Sequence, residues 1–153
     1  MGKSSQILGL ALLAGLGFAL GGTAGEADLE VSLIMLQRAE DGGPTFAVRK
    51  NNQAKVKIKN NGPDEVAGAI EFQVYPGRVT PQGDPIYRKV SKVPKMKTGD
   101  RLDISFEGIE ISEEGYYLIQ ATIVTLEDDV DPNQENNQVT RRPSRAKKFE
   151  QKE

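Results

Sequence analysis

The sequence predicts an all-β protein, an antiparallel sandwich of seven or eight short strands, on three observations. Apolar and polar residues alternate with period two through most of the chain after residue 27. Clusters of Gly, Pro, Asn and Asp recur between the alternating segments, and no capped run of ten or more residues at helical spacing occurs there. Strict alternation puts every second side chain on one face of a strand, and several such strands separated by turns make a sandwich. A small closed barrel is the alternative.

The chain opens differently. Lys3 is the only charge before Glu26, and Ile7 to Leu20 is an apolar run broken by glycines. Small residues follow, Gly21-Gly22-Thr23-Ala24-Gly25, before the first acid. A short basic start, an apolar stretch and a small-residue end are the marks of a secretory signal peptide. Residues 1–24 are assigned to it, with cleavage after Ala24 or, alternatively, after Ala27. Even Ile7 to Gly22 falls short of the roughly 20 residues needed to span a bilayer. The expectation is a secreted or periplasmic protein with no transmembrane anchor once the leader is removed.

The elements then follow in order. Leu29, Val31, Leu33 and Met35 give a first strand with one apolar face. Asp41-Gly42-Gly43-Pro44 is a turn, and Ala54-Lys55-Val56-Lys57-Ile58-Lys59 alternates without a fault, leaving a row of lysines outside. Asn60-Asn61-Gly62-Pro63 turns the chain into Ala69-Ile70-Glu71-Phe72-Gln73-Val74, which ends at Tyr75-Pro76-Gly77. Gly83-Asp84-Pro85 and Thr98-Gly99-Asp100 are further turns, the second opening Arg101 to Glu107. Tyr116 to Leu126 is the longest strand, with Tyr117, Ile119, Ala121 and Ile123 on one face. From Arg141 the composition shifts to six basic against two acidic residues with one large apolar side chain, Phe149. Residues 28–142 therefore form the folded domain, and 143–153 read as a flexible basic tail.

Composition excludes whole classes of chemistry. The 153 residues contain no His, Cys or Trp. A Ser-His or Cys-His nucleophile pair, a disulfide, an iron–sulfur cluster and an ordinary zinc site are all removed. The 20 basic and 22 acidic residues leave a net charge of −2, which gives no bulk attraction for nucleic acid. Carboxylates remain, and Glu71, Glu107 and Glu110 would be the residues of a carboxylate-based hydrolase. Acids on exposed strand faces are routine, so no enzyme is expected. Lys55, Lys57 and Lys59, with Arg49 and Lys50 nearby, make a basic patch. Such lysines commonly block edge-to-edge strand pairing.

Two further constellations stand out. Glu127 to Asn137 is dense in acids and amides. Asp128, Asp129, Asp131, Asn133 and Glu135 supply the oxygen set that calcium takes from a flexible loop, although the spacing is not that of an EF-hand. The commoner reading is a hairpin loop whose side chains bond their own backbone. No other cofactor is expected. Glu113-Glu114-Gly115-Tyr116-Tyr117 resembles the tyrosine corner of immunoglobulin-like sandwiches, with Gly115 at the turn and the Tyr117 hydroxyl returning to the backbone. Ile119 then stands where antibody domains carry a disulfide cysteine.

Residues 28–142 resemble a bacterial cell-adhesion-related domain, CARDB, an immunoglobulin-like module. The likeness runs in order through Asp28-Leu29-Glu30-Val31, Val56 to Gly62, Ile70 to Tyr75, Met96 to Phe106, and Asp128 to Asn137. It implies a non-enzymatic binding or adhesion module whose partner is a protein or glycan of the cell envelope or exterior, on an edge strand or the last hairpin loop. The alternative is a structural subunit of an envelope or extracellular assembly that packs through an edge strand, with self-association as one form of it.

Overall fold

The computed structural model describes residues 28–38, 45–48, 51–125 and 133–148. Among these residues, seven strands lie in two antiparallel sheets that face each other as a sandwich. These are β1 (Leu29–Arg38), β2 (Asn51–Asn60), β3 (Val66–Pro76), β4 (Tyr87–Met96), β5 (Arg101–Glu110), β6 (Gly115–Thr125) and β7 (Gln138–Ala146). One sheet has the order β1-β2-β5 and the other β4-β3-β6-β7. A single turn of 3-10 helix, Gln134–Asn137, precedes β7.

The alternating residues meet between the sheets as periodicity requires. Val56, Ile58, Ile70, Phe72, Val74, Phe106, Ile119 and Ile123 are all buried. Phe72 of one sheet stacks on Phe106 of the other, with ring centroids 4.7 Å apart, and meets the edge of Tyr87 at 6.1 Å. Such contacts give the centre of the core its fixed geometry. Gly99, at φ +80°, makes the tight turn into β5, where Asp100 bonds back to Lys97 through both backbone and side chain. Gly68 matters for a different reason. A methyl group there would sit 2.7 Å from the Val124 carbonyl oxygen and 2.9 Å from Leu29, so only glycine lets β3 close on its neighbours.

The structure departs from the sequence expectation in four places. In β1 the alternation changes phase. A bulge between Val31 and Leu33 leaves Ser32 without a partner in the ladder. Leu29, Val31, Ile34 and Leu36 are buried, whereas Leu33 is 45% exposed. The inward face is therefore 29, 31, 34 and 36, not 29, 31, 33 and 35. Second, β2 lies between β1 and β5, so its lysines are at the centre of a sheet and cannot guard an edge. Third, β4 is a strand that alternation did not mark.

The fourth departure is at the C-terminus. The chain does not loosen at 143: Ser144, Arg145 and Ala146 pair with Tyr117, Tyr116 and Gly115, and Lys147 bridges to Ala47. A second bulge, opposite Leu118, takes up Arg142 and Pro143. Proline is tolerated at a bulge on an edge strand because no ladder hydrogen bond is asked of it. Ala146 is fully buried and anchors the strand end. Residues 1–24 and 149–153 lie outside the described residues.

Candidate functional site

The β1 bulge builds the most distinctive surface. Leu33-Ile34-Met35-Leu36 is apolar at four consecutive positions. A strand can bury only every second one, so two of the four must face out. Ile34 and Leu36 enter the core, and Leu33 and Met35 stand on the outer face beside Lys57 and Lys55, their cross-strand neighbours. Among the described residues β1 pairs with β2 alone, and its other edge has no strand partner there. Along that edge runs a groove of about 560 Å³ lined by residues 32–37, Val139 and Arg141. Arg141 spans the groove from β7 and donates to the Ile34 carbonyl at 3.0 Å. Burial lowers its pKa from the ordinary value, because desolvation disfavours the charged form. The arrangement offers backbone acceptors, an apolar floor and a guanidinium, which suits an extended polypeptide and provides no reacting group.

The opposite seam is shut. Tyr87 of β4 donates its hydroxyl to the Glu107 carbonyl of β5 at 2.8 Å, joining the two sheets. Burial, and then Glu107, raise the Tyr87 pKa. The three carboxylates considered for hydrolysis do not converge. Glu71 is on the outer face of the four-stranded sheet, ion-paired with Arg88. Glu107 and Glu110 are exposed on β5 of the other sheet. No bond can lie between carboxylates on opposite outsides of a sandwich.

Of the candidate calcium residues, Asp128, Asp129 and Asp131 lie outside the described residues. Asn133 precedes the 3-10 turn without a side-chain cap, and Glu135 is exposed in its first turn. The informative groups are the two residues after them. Asn136 donates through Nδ2 to the Asp28 carboxylate at 2.7 Å, while the Oδ1 atoms of Asn136 and Asn137 are buried with no hydrogen-bond partner. Buried acceptors normally find a donor, a water or an ion. Among the described residues, no three Asp or Glu side chains group closely enough to hold a metal.

Tyr117 donates its hydroxyl to the Glu113 carbonyl at 2.9 Å and is only 7% exposed. Gly115 pairs with Ala146. Nothing requires glycine there: an added methyl group would rest 3.8 Å from the Tyr117 ring, an ordinary contact. Sequence reasoning missed Ser32, Leu33, Met35 and Arg141 as a site. The signal for it was the unbroken apolar run from 33 to 36.

The CARDB family model matches residues 26–142. Among solved structures, the CARDB domain of a Pyrococcus furiosus protein, crystallised in complex with di-metal ions, is similar at 18% identity and a TM-score of 0.55. The match covers 82% of this chain and 97% of that one. The C-terminal domain of wzt matches at 14% identity and a TM-score of 0.55, over 84% of this chain and 77% of that one. At such identities the likeness shows the fold. No curated protein matches in sequence. With a family model spanning the sandwich from before β1 into β7, and two sheets in immunoglobulin-like arrangement, the chain belongs to the CARDB family.

Proposed function

We propose that this chain is a secreted or periplasmic, non-enzymatic binding and adhesion module that takes an extended segment of an envelope or extracellular protein along the β1 edge. The observation that carries it is the phase change at Ser32. The bulge leaves Leu33, 45% exposed, beside a strand edge that has no strand partner among the described residues. Long apolar edges invite added strands, and natural proteins otherwise protect them with charge or proline. β1 from Leu33 to Leu36 has neither. Export rests on the leader-like residues 1–24, and membership of CARDB, a non-enzymatic immunoglobulin-like family, supports a role without catalysis.

A photo-crosslinking side chain at position 33, compared with one at position 105 on β5, tests the reading in the producing cells. The expected result is a discrete protein adduct from 33 and none from 105. Equal labelling from both positions, or none from either, overturns it. An adduct of twice the chain mass would instead establish the structural reading, in which the edge packs against a second copy.

A bound cation beside the 3-10 turn is a second reading, favoured by the orphaned Oδ1 atoms of Asn136 and Asn137. With the Asp28 carboxylate, those oxygens are of the hard type that calcium prefers. The Pyrococcus furiosus domain in complex with di-metal ions lends support.

A further inference from the structure

The net charge of −2 conceals a strong segregation. Residues 78–97 contain Arg78, Arg88, Lys89, Lys92, Lys95 and Lys97 against the single acid Asp84, or +5, so the rest of the chain carries −7. These residues form the β3–β4 connection and β4, the outer strand of the four-stranded sheet. Three of the six cations are engaged. Arg88 pairs with Glu71, Lys95 is 3.8 Å from Glu65, and Arg78 lies 3.7 Å over the Tyr116 ring. Lys89, Lys92 and Lys97 are exposed and have no acidic partner among the described residues.

The same stretch holds three of the four large apolar side chains that are exposed among the described residues: Val79 at 86%, Ile86 at 46% and Val90 at 56%. The register sets Val90 opposite Glu71 and Arg88 opposite Gln73, on the outward face of β3. Ile86, Arg88, Val90 and Lys92 thus alternate aliphatic and cationic along one outer edge, with Val79 exposed in the adjoining connection.

Lysines and Pro94 on an edge strand would by themselves be explained as protection against strand pairing. That account leaves Val79, Ile86 and Val90 without a reason to face water. A single-stranded nucleic acid would ask for exposed aromatic platforms among the cations, whereas the exposed large apolar groups of this stretch, Val79, Ile86 and Val90, are aliphatic. Cations interleaved with aliphatic groups match an anionic bilayer surface, where phosphates attract the former and the acyl boundary receives the latter. The −7 on the remainder of the chain favours presenting this edge to such a surface. We propose that the β3–β4 connection and the outer face of β4 dock on an anionic membrane surface.

Co-sedimentation of the chain isolated from its producing cells, with vesicles of phosphatidylcholine alone or with 30% phosphatidylglycerol, tests this (vesicle composition set at about 30% for a typical anionic charge density). Binding is expected only to the anionic vesicles, and it should weaken as salt rises. Each cation near the surface contributes about fivefold, so K92Q/K97Q should lose on the order of 25-fold. V79S/I86S/V90S should lose about tenfold with its charge unchanged. All five positions are exposed, and equal melting temperatures would show the fold intact. Vesicle binding that neither variant alters overturns the proposal, since it must then come from another surface. So does binding to dextran sulfate that depends on the lysines but not on the aliphatic groups, with no binding to vesicles.

Discussion

Asn52 and Asn60 are fully buried at the two ends of β2, and their side chains take the place of missing ladder partners. Asn52 accepts from the Ala47 N–H at 2.7 Å and donates to the Ala47 and Ile109 carbonyls. Asn60 donates to the Asp64 and Met96 carbonyls and accepts from Gly62. Neither role was legible: Asn60 stands before Asn61-Gly62-Pro63 and reads as a turn former, and Asn52 sits in the polar run Asn51-Asn52-Gln53, which gives no sign of what its side chain reaches. Tyr117 was legible, since its spacing from the preceding acid and glycine is local. Removing its hydroxyl leaves the Glu113 carbonyl short of a donor, and Tyr117→Phe should cost about 1–3 kcal/mol. Denaturant midpoints at equal slope measure this, and a change within error would refute the role of that bond. Burial, and then Glu113, raise the Tyr117 pKa above its ordinary 10.0. A raised folded-state value means the contribution is complete below pH 10 and is lost as pH climbs through the folded pKa. Tyr75 and Tyr87 are raised by burial as well, so stability should fall in alkali, and less steeply in the Phe variant.

At the scale of the strand, legibility followed burial. β2, β3, β5 and β6 each bury one face, and their periodicity displayed it. β4 escaped because it is an edge strand with both faces largely in water: only Val93 and Met96 are buried, and Pro94 argues against a central strand. Nor could the C-terminal extension of β7 be read, since a bulge absorbs its proline. β1 was found but misphased, because four consecutive apolar residues satisfy either register and a one-residue slip exchanges the faces. Position-specific charge tests the phase directly. Leu33→Lys should change stability by no more than about 0.5 kcal/mol, whereas Ile34→Lys should cost about 4 kcal/mol or abolish folding. Chemical denaturation of the two variants decides between the registers. The regular strand without a bulge requires the opposite order.

At the scale of the whole molecule, the two seams between the sheets are closed by different means. The β4–β5 side has the Tyr87 bond to Glu107, a neutral link between two strands. The β1–β7 side is held by Arg141 on Ile34 and by Asn136 on Asp28, with two amide oxygens left unpaired beside that second contact. An ion accepted there would tie β1 to the turn before β7, so its effect would appear in global unfolding. The unfolded chain holds no such arrangement, and at 100 times the dissociation constant calcium would add roughly 2.7 kcal/mol. For a domain of this size the melting temperature should then rise by about 5–10 °C in excess calcium relative to a chelator. Magnesium at equal ionic strength should do much less, because it demands tighter octahedral geometry, and the comparison also removes simple charge screening. Asp129→Asn with Asp131→Asn, which lowers the charge of the acidic stretch before the turn, should shrink the calcium effect without changing the chelated baseline. Identical melting in calcium, magnesium and chelator would mean that water satisfies Asn136 and Asn137, and the seam would then be closed by side chains alone.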